Sequence, residues 1–120
     1  MDQAQVLLLR SYLQKARRVV FFGGAGVSTE SGIPDFRSAD GLYHQKYTVP
    51  PEVILSHTYF LAHPAEFYRF YRDKMNCLAA APNPAHRTLA KWETMGKVSA
   101  VVTQNIDGLH TLAGSRTVWE

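Results

Sequence analysis

The run Val19-Val20-Phe21-Phe22-Gly23-Gly24-Ala25-Gly26 does most to limit what this chain can fold into. Four apolar, β-prone residues lead straight into glycines, the pattern of a buried strand turning sharply into a helix. Gly24 and Gly26 lack a Cβ, so the backbone can turn tightly and let a phosphate approach its amides. Ser28, Thr29 and Glu30 read as the first turn of that helix, where free N–H groups favour an anion. Gly32-Ile33-Pro34 then breaks the helix and delivers an acid, an aromatic and a base in series: Asp35, Phe36 and Arg37. A Gly-x-Gly turn alone is weak evidence, because it recurs in many folds. Where the usual dinucleotide fingerprint wants Gly or Ala, this chain has Thr29.

The rest of the chain supplies partners for such a strand. Residues 3–16 predict an amphipathic helix, with Val6, Leu9, Leu13 and Ala16 at helical spacing and Arg17-Arg18 near its C-terminal end. Residues 38–50 read as a loop able to close over a ligand, with Tyr43 and Tyr47 either touching that ligand or anchoring the loop. Pro50-Pro51-Glu52 opens a short helix expected through Ser56, and a second is expected around 57–62. A longer one is expected from Pro64 to about Ala80, with Phe67, Phe70, Tyr71, Met75 and Leu78 as an apolar stripe. Asn83-Pro84 caps a further helix whose inner face is Leu89, Trp92 and Met95 and whose end is Gly96. Val98 to Val102 predicts a second buried parallel strand, 107–113 a short helix, and Arg116 to Trp119 the start of a third strand.

Composition narrows the class. The 120 residues are 46% hydrophobic and 19% charged, with a net charge of +3 spread along the chain, so a single small α/β core is expected and nucleic-acid binding is not. No stretch reaches the length of a membrane span, and the N-terminal apolar run is too short for a signal peptide. Cys77 is the single cysteine, which excludes an internal disulfide and agrees with a cytoplasmic setting. His57 and His63 lack the spacing of a metal site.

Both chemical stretches follow the carboxyl ends of apolar strands, the edge at which open parallel α/β sheets bind ligands. Order and periodicity therefore bring Gly24–Arg37 beside the segment that follows the second strand, Thr103-Gln104-Asn105-Ile106-Asp107. The string Gly24-Ala25-Gly26-x-Ser28-x-x-Ser31-Gly32-Ile33-Pro34-Asp35-Phe36-Arg37 resembles the hallmark of the sirtuins, the NAD-dependent protein deacylases, and Thr103 to Asp107 resembles their second hallmark. The resemblance runs over essentially the whole chain and is nearest to the bacterial and archaeal deacetylase type.

The resemblance implies a Rossmann-like parallel sheet flanked by helices, incomplete, with a helical insertion from the small domain at about 38–80. The 120 residues then form one partial deacetylase domain, its N-terminal half. It implies that Gly24, Ala25 and Gly26 hold the NAD phosphates and that Thr29 belongs to the same pocket. Phe36 shields the reacting ribose and nicotinamide, with Asp35 and Arg37 beside it. Gln104 and Asn105 surround the nicotinamide ribose, Asn105 supporting catalysis, and Ile106 and Asp107 grip the carboxamide. The implied reaction transfers the acetyl group of acetyl-lysine in a protein substrate to ADP-ribose and releases nicotinamide. Cleaving the nicotinamide–ribose bond leaves an oxocarbenium-like sugar that water would trap, so the site must be dry and shaped. Plainer readings stand beside these: Asp35 and Arg37 as an ion pair fixing the loop, and Gln104 and Asn105 as caps of the helix at 107.

The chain departs from the sirtuin pattern in specific ways. The general-base histidine follows a Val-x-Glu-Leu segment in that family, and here the sequence stops at Val118-Trp119-Glu120; His110 matches a different histidine. The paired zinc cysteines are absent, so zinc is expected only in a full-length relative. Sirtuins that prefer acidic acyl groups carry Tyr-x-x-Arg where this chain has Tyr68 and Tyr71, which favours a neutral acyl group such as acetyl. The alternative to a deacetylase half is a truncated, inactive module that binds NAD or ADP-ribose. A nicotinamide dehydrogenase ranks lower, because the next strand ends in Thr-Gln-Asn where an acid is expected.

Overall fold

The computed structural model describes residues 2–120. Three strands form the centre: β1 (Val19–Gly23), β2 (Val98–Thr103) and β3 (Val118–Trp119), all parallel in the order β1-β2-β3. β2 is central because it alone pairs on both sides, Phe21 with Val101 on one and Val118 with Val101 on the other. Val98 and Val101, on either side of a register irregularity at Ser99, are both buried and meet Leu89, with Val19, Phe21, Trp92 and Val118 packed around them. One face of the sheet is thus covered, where a parallel sheet is ordinarily covered on both.

Helix α1 (Gln3–Lys15) is capped by Asp2, whose carboxylate accepts from the Ala4 N–H at 3.0 Å. No residue of α1 is fully buried: Leu13 is half-buried, and Leu7, Leu8 and Leu9 each stand more than half exposed. Between α1 and the far end of α5 (Pro84–Thr94) lies a groove of about 590 Å³ walled by Leu9, Leu13, Trp92 and Met95. Val20 and Phe22 of β1 are likewise exposed. The radius of gyration is 17.0 Å, whereas a compact chain of this length has about 14 Å. Apolar surface is thus left uncovered on the sheet and on α1.

The segment between β1 and α5 is helical, as expected, in shorter pieces. α2 (Pro51–Ile54) starts on a proline at its first turn and stops before Ser56, which instead caps α3 (His57–Ala62) by accepting from the Tyr59 N–H at 3.2 Å. α4 (Pro64–Phe70) does not continue to Ala80. It widens into a π turn, Tyr71–Met75, and Asn76 is extended. Leu78 is 93% exposed and lies outside the apolar stripe. Phe70 is buried with Leu42 and Ile54, and Tyr47 packs edge-on against Phe70 at 5.1 Å, so this tyrosine anchors the 38–50 loop on α4.

α5 begins where predicted, on Asn83 and Pro84. Near its end Glu93 accepts from the Arg116 and Thr117 N–H groups, both at 2.8 Å, which fixes the approach to β3. The third strand is two residues long and the last helix, α6 (Leu109–Leu112), shorter than the expected 107–113. Gly108 explains the shortening: its φ of 69° is left-handed, so the helix starts only after it. No helix among the described residues is long and apolar enough to cross a membrane.

Candidate functional site

The glycine turn folds as a 3₁₀ segment, Ala25–Ser31, rather than the first turn of an α-helix, and ends at Gly32 with a φ of 83°. Gly24 sits hard against the second motif: a Cβ there would lie 3.2 Å from the Gln104 side-chain oxygen, and the Gln104 N–H donates to the Gly23 carbonyl at 3.0 Å. Gly26 is different. A Cβ there would meet nothing within 4 Å, so its surroundings are open.

Ser28 is the hub. It is fully buried and its hydroxyl donates to Asp107 Oδ2 at 2.6 Å, a short bond of the charge-assisted kind. The same oxygen accepts from Asn105 Nδ2 at 3.1 Å and faces His86 Nε2 at 3.5 Å. Asn105 Nδ2 also donates to the Gly24 carbonyl at 3.2 Å. The two motifs, 77 to 81 residues apart, are therefore stitched by side chains as well as by strand pairing. Asn105 does not cap α6. That part falls to Asp107, whose Oδ1 accepts from the Leu109 N–H at 2.9 Å.

Behind Ser28 stand two buried imidazoles. His86 Nδ1 accepts from the Asn83 N–H at 3.2 Å, which puts the ring proton on Nε2, toward Ser28. His110 packs edge-on against His86 at 4.7 Å and neither of its ring nitrogens has a protein partner. Burial pushes the His86 pKa below its ordinary value, with the Asp107 charge pulling the other way. Burial and then the neighbouring His86 lower that of His110, again against Asp107. Both rings are neutral at neutral pH.

In front of the hub opens a cavity of about 190 Å³ with mainly apolar walls. Ala25 and Ser28 enter from the turn, Ile33, Pro34 and Phe36 from the segment after it, and Gln104, Asn105, Ile106 and Asp107 from the second motif. Leu42 and, from the end of the helical segment, Lys74, Met75 and Cys77 complete the wall. Phe36 leans on Tyr43 with ring centres 5.5 Å apart, so Tyr43 supports Phe36 and does not itself line the cavity.

Of the residues singled out in the sequence, Ala25, Phe36, Gln104, Asn105, Ile106 and Asp107 meet at this cavity. Gly24 underlies it through Asn105. Gly26, Thr29, Asp35 and Arg37 do not line it. Thr29 donates its hydroxyl to the Gly26 carbonyl at 3.0 Å. Asp35 accepts from the Ser38 N–H at 3.2 Å and from the Ser38 hydroxyl instead of pairing with Arg37, which is exposed. The sequence placed Ser28 only in the first turn of a helix, Asn83 only as a helix cap and Met75 only in an apolar stripe, and His86 and Lys74 were passed over. His86 could have been found as the third helical residue after Asn83, the place from which a side chain reaches back to the cap. Among the described residues no group of three His, Cys, Asp or Glu side chains is gathered as a metal site needs, and zinc enters no step below.

Comparison with known proteins agrees with this geometry. Residues 24–120 match the Sir2 family. An NAD-dependent protein deacetylase of Clostridium acetobutylicum is 58% identical over 114 residues, covering 93% of this chain and 46% of that protein. An NAD-dependent protein deacylase 2 of Archaeoglobus fulgidus is 50% identical over 108 residues, covering 90% of this chain and 42% of that protein. A Sir2–p53 peptide–NAD+ structure superimposes with a TM-score of 0.77 at 43% identity, over 98% of this chain and 44% of its own. A further Sir2 enzyme structure reaches a TM-score of 0.87 at 44% identity, over 98% and 45%. The chain spans about half the length of the curated relatives it matches. The sheet, the glycine turn, the second motif beside it and these matches together make the chain a member of the Sir2, or sirtuin, family.

Proposed function

We propose that residues 1–120 form the nicotinamide-gripping half of an NAD-dependent protein lysine deacetylase. The observation that carries this is the hydrogen-bonded hub Gly24–Asn105–Ser28–Asp107 opening onto an apolar cavity beneath Phe36. The residues suit NAD. Gly26 stands in open space, free for a phosphate to approach, and Gly24 and Ala25 lead into it. Thr29, Asp35 and Arg37 flank that approach outside the cavity. NAD supplies a sugar carbon that can pass from nicotinamide to the acyl oxygen of an acetyl-lysine. Ile106 and Asp107 hold the carboxamide, Phe36 and Met75 exclude water, and Gln104 and Asn105 orient the ribose. Apolar walls raise the worth of each of these polar contacts.

The acyl-lysine partner is a protein, as in the relative solved bound to acetylated peptide. Tyr68 and Tyr71 offer no guanidinium for an acidic acyl group, which supports acetyl. The single cysteine suits a cytoplasmic setting. The domain is partial, which the uncovered faces of α1 and β1 support.

A second reading, an NAD-binding module without turnover, is favoured by one observation: among the described residues no histidine lines the cavity, since His86 and His110 lie buried behind Ser28. Without a general base, proton removal from a ribose hydroxyl loses about 10²–10⁴-fold. The test is calorimetric titration with NAD, then nicotinamide release from NAD plus an acetyl-lysine peptide. Both are run on residues 1–120 and on the whole natural polypeptide that carries them. Binding by the latter with turnover, and no turnover by the isolated residues, is expected. Binding without turnover in both selects the module, and no NAD binding in either rejects both readings.

A further inference from the structure

Asn83 does more than cap α5. It is 5% exposed and its side-chain amide is used on both sides. Oδ1 accepts from the Ala85 and His86 N–H groups at 2.9 and 3.4 Å, the ordinary work of a cap. Nδ2 donates to the Val27 carbonyl at 2.7 Å and to Ser31 Oγ at 3.1 Å. A cap needs only the acceptor, and Ser or Asp serves there as well as Asn. The donor half therefore has no helical purpose; it reaches back to the glycine turn, 52 to 56 residues earlier.

The turn needs such a hold. It is a 3₁₀ segment, whose hydrogen bonds are poorer than those of an α-helix, and it carries two conformationally free glycines at its start. Ser28 pins one side of it to Asp107 and Asn105. Asn83 pins the other side at Val27 and Ser31. Fixing the Val27 carbonyl fixes a whole peptide plane, because the Ser28 N–H belongs to the same rigid unit and points the opposite way.

We propose that Asn83 is a positioning residue for NAD: its side-chain NH₂ sets the conformation of the glycine turn and hence the affinity for the dinucleotide, separately from its duty as helix cap. This rests on the reading of the turn as an NAD cradle.

The test uses the whole natural polypeptide that carries residues 1–120, with N83S, N83D and N83A. Amide hydrogen exchange is followed in 25–32 and in 84–94, and NAD affinity is measured by titration. N83S and N83D keep the cap and lose the tether. Both are expected to retain protection in α5, to exchange about tenfold faster across the turn and to bind NAD about tenfold more weakly. N83A is expected to loosen both segments. Turn protection and NAD affinity unchanged in N83S overturn the proposal. So does an NAD loss confined to N83D, which traces the effect to charge repelling phosphate. So does loosening of α5 and the turn together in all three variants, which reduces Asn83 to general stability. If the wild-type protein binds no NAD, the cradle reading fails by itself, and the exchange pattern still decides whether the tether exists.

Discussion

Ser28→Ala removes one oxygen from the middle of the hub, and its cost follows from what that oxygen touches. The bond to Asp107 Oδ2, 2.6 Å and to a carboxylate, is of the class worth about 1.5–3 kcal/mol. Asn105 Nδ2 keeps a second acceptor in the Gly24 carbonyl, so its loss is small. His86 Nε2 keeps none; its contact is long at 3.5 Å, and stranding a buried donor adds about 1 kcal/mol, the low end of that penalty. The total is about 2.5–4 kcal/mol. At about 4 °C per kcal/mol, suited to a chain slightly above the 60–100-residue range, the midpoint falls by about 10–16 °C. Urea unfolding of wild type and variant followed by circular dichroism gives the number. The companion Asn105→Ala and the double variant should be less than additive, since both act on one network. A loss below about 1 kcal/mol, or strict additivity, refutes the hub as described.

Three further expectations follow from the same geometry. Gly26→Val meets nothing within the chain, so the melting temperature should stay within about 2 °C, because surface changes away from special features are usually small. NAD affinity should still drop about tenfold; unchanged affinity removes the phosphate role from this turn. Asp107→Asn keeps an acceptor for the Leu109 N–H and loses the charged bond to Ser28, so it should cost about 1.5–3 kcal/mol and impair nicotinamide exchange in the whole natural polypeptide. Wild-type exchange rates leave Asp107 only its part in the fold. Stability should also depend on pH through the imidazoles. His86 and His110 are held below their ordinary pKa, so the unfolded chain takes up protons first. Their contribution is complete above about pH 6.5 and is lost as the pH falls below that toward the folded values. Denaturant midpoints that are flat between about pH 8 and 5 contradict neutral buried rings.

The sheet and the cavity floor were legible because they are local. Val19 to Phe22 is a continuous apolar run and Val98 to Val102 one broken only by Ser99, and glycines or polar residues end each of them within a residue or so of the expected boundary. Asn83-Pro84 announced α5 by cap chemistry alone. The hub was not legible, since Ser28, His86 and Asp107 come together only when β1, α5 and β2 have assembled. The paired motifs gave the neighbourhood and no more. Helix lengths failed where a local competitor acted: Gly108 delayed α6, and the π turn at Tyr71 to Met75 cut short the run predicted to reach Ala80. The periodicity of residues 3–16 announced the helix α1 and said nothing of its burial, which depends on a second surface that periodicity does not supply.

The pairing of Val19 with Val98 sets the order of events in time. Most of the chain lies between those two residues, and closing so long a loop costs entropy before any contact repays it. Helices α2 to α4 lie inside the loop and need only near neighbours, so they are expected to form early. The β1–β2 pairing comes late, and the Gly24–Asn105 and Ser28–Asp107 bonds wait on it. Competence to grip a dinucleotide is thus expected to be the last property the chain acquires on folding and the first it loses on warming. Pulse-labelled exchange sees this as amides of 25–31 protected after those of 57–70.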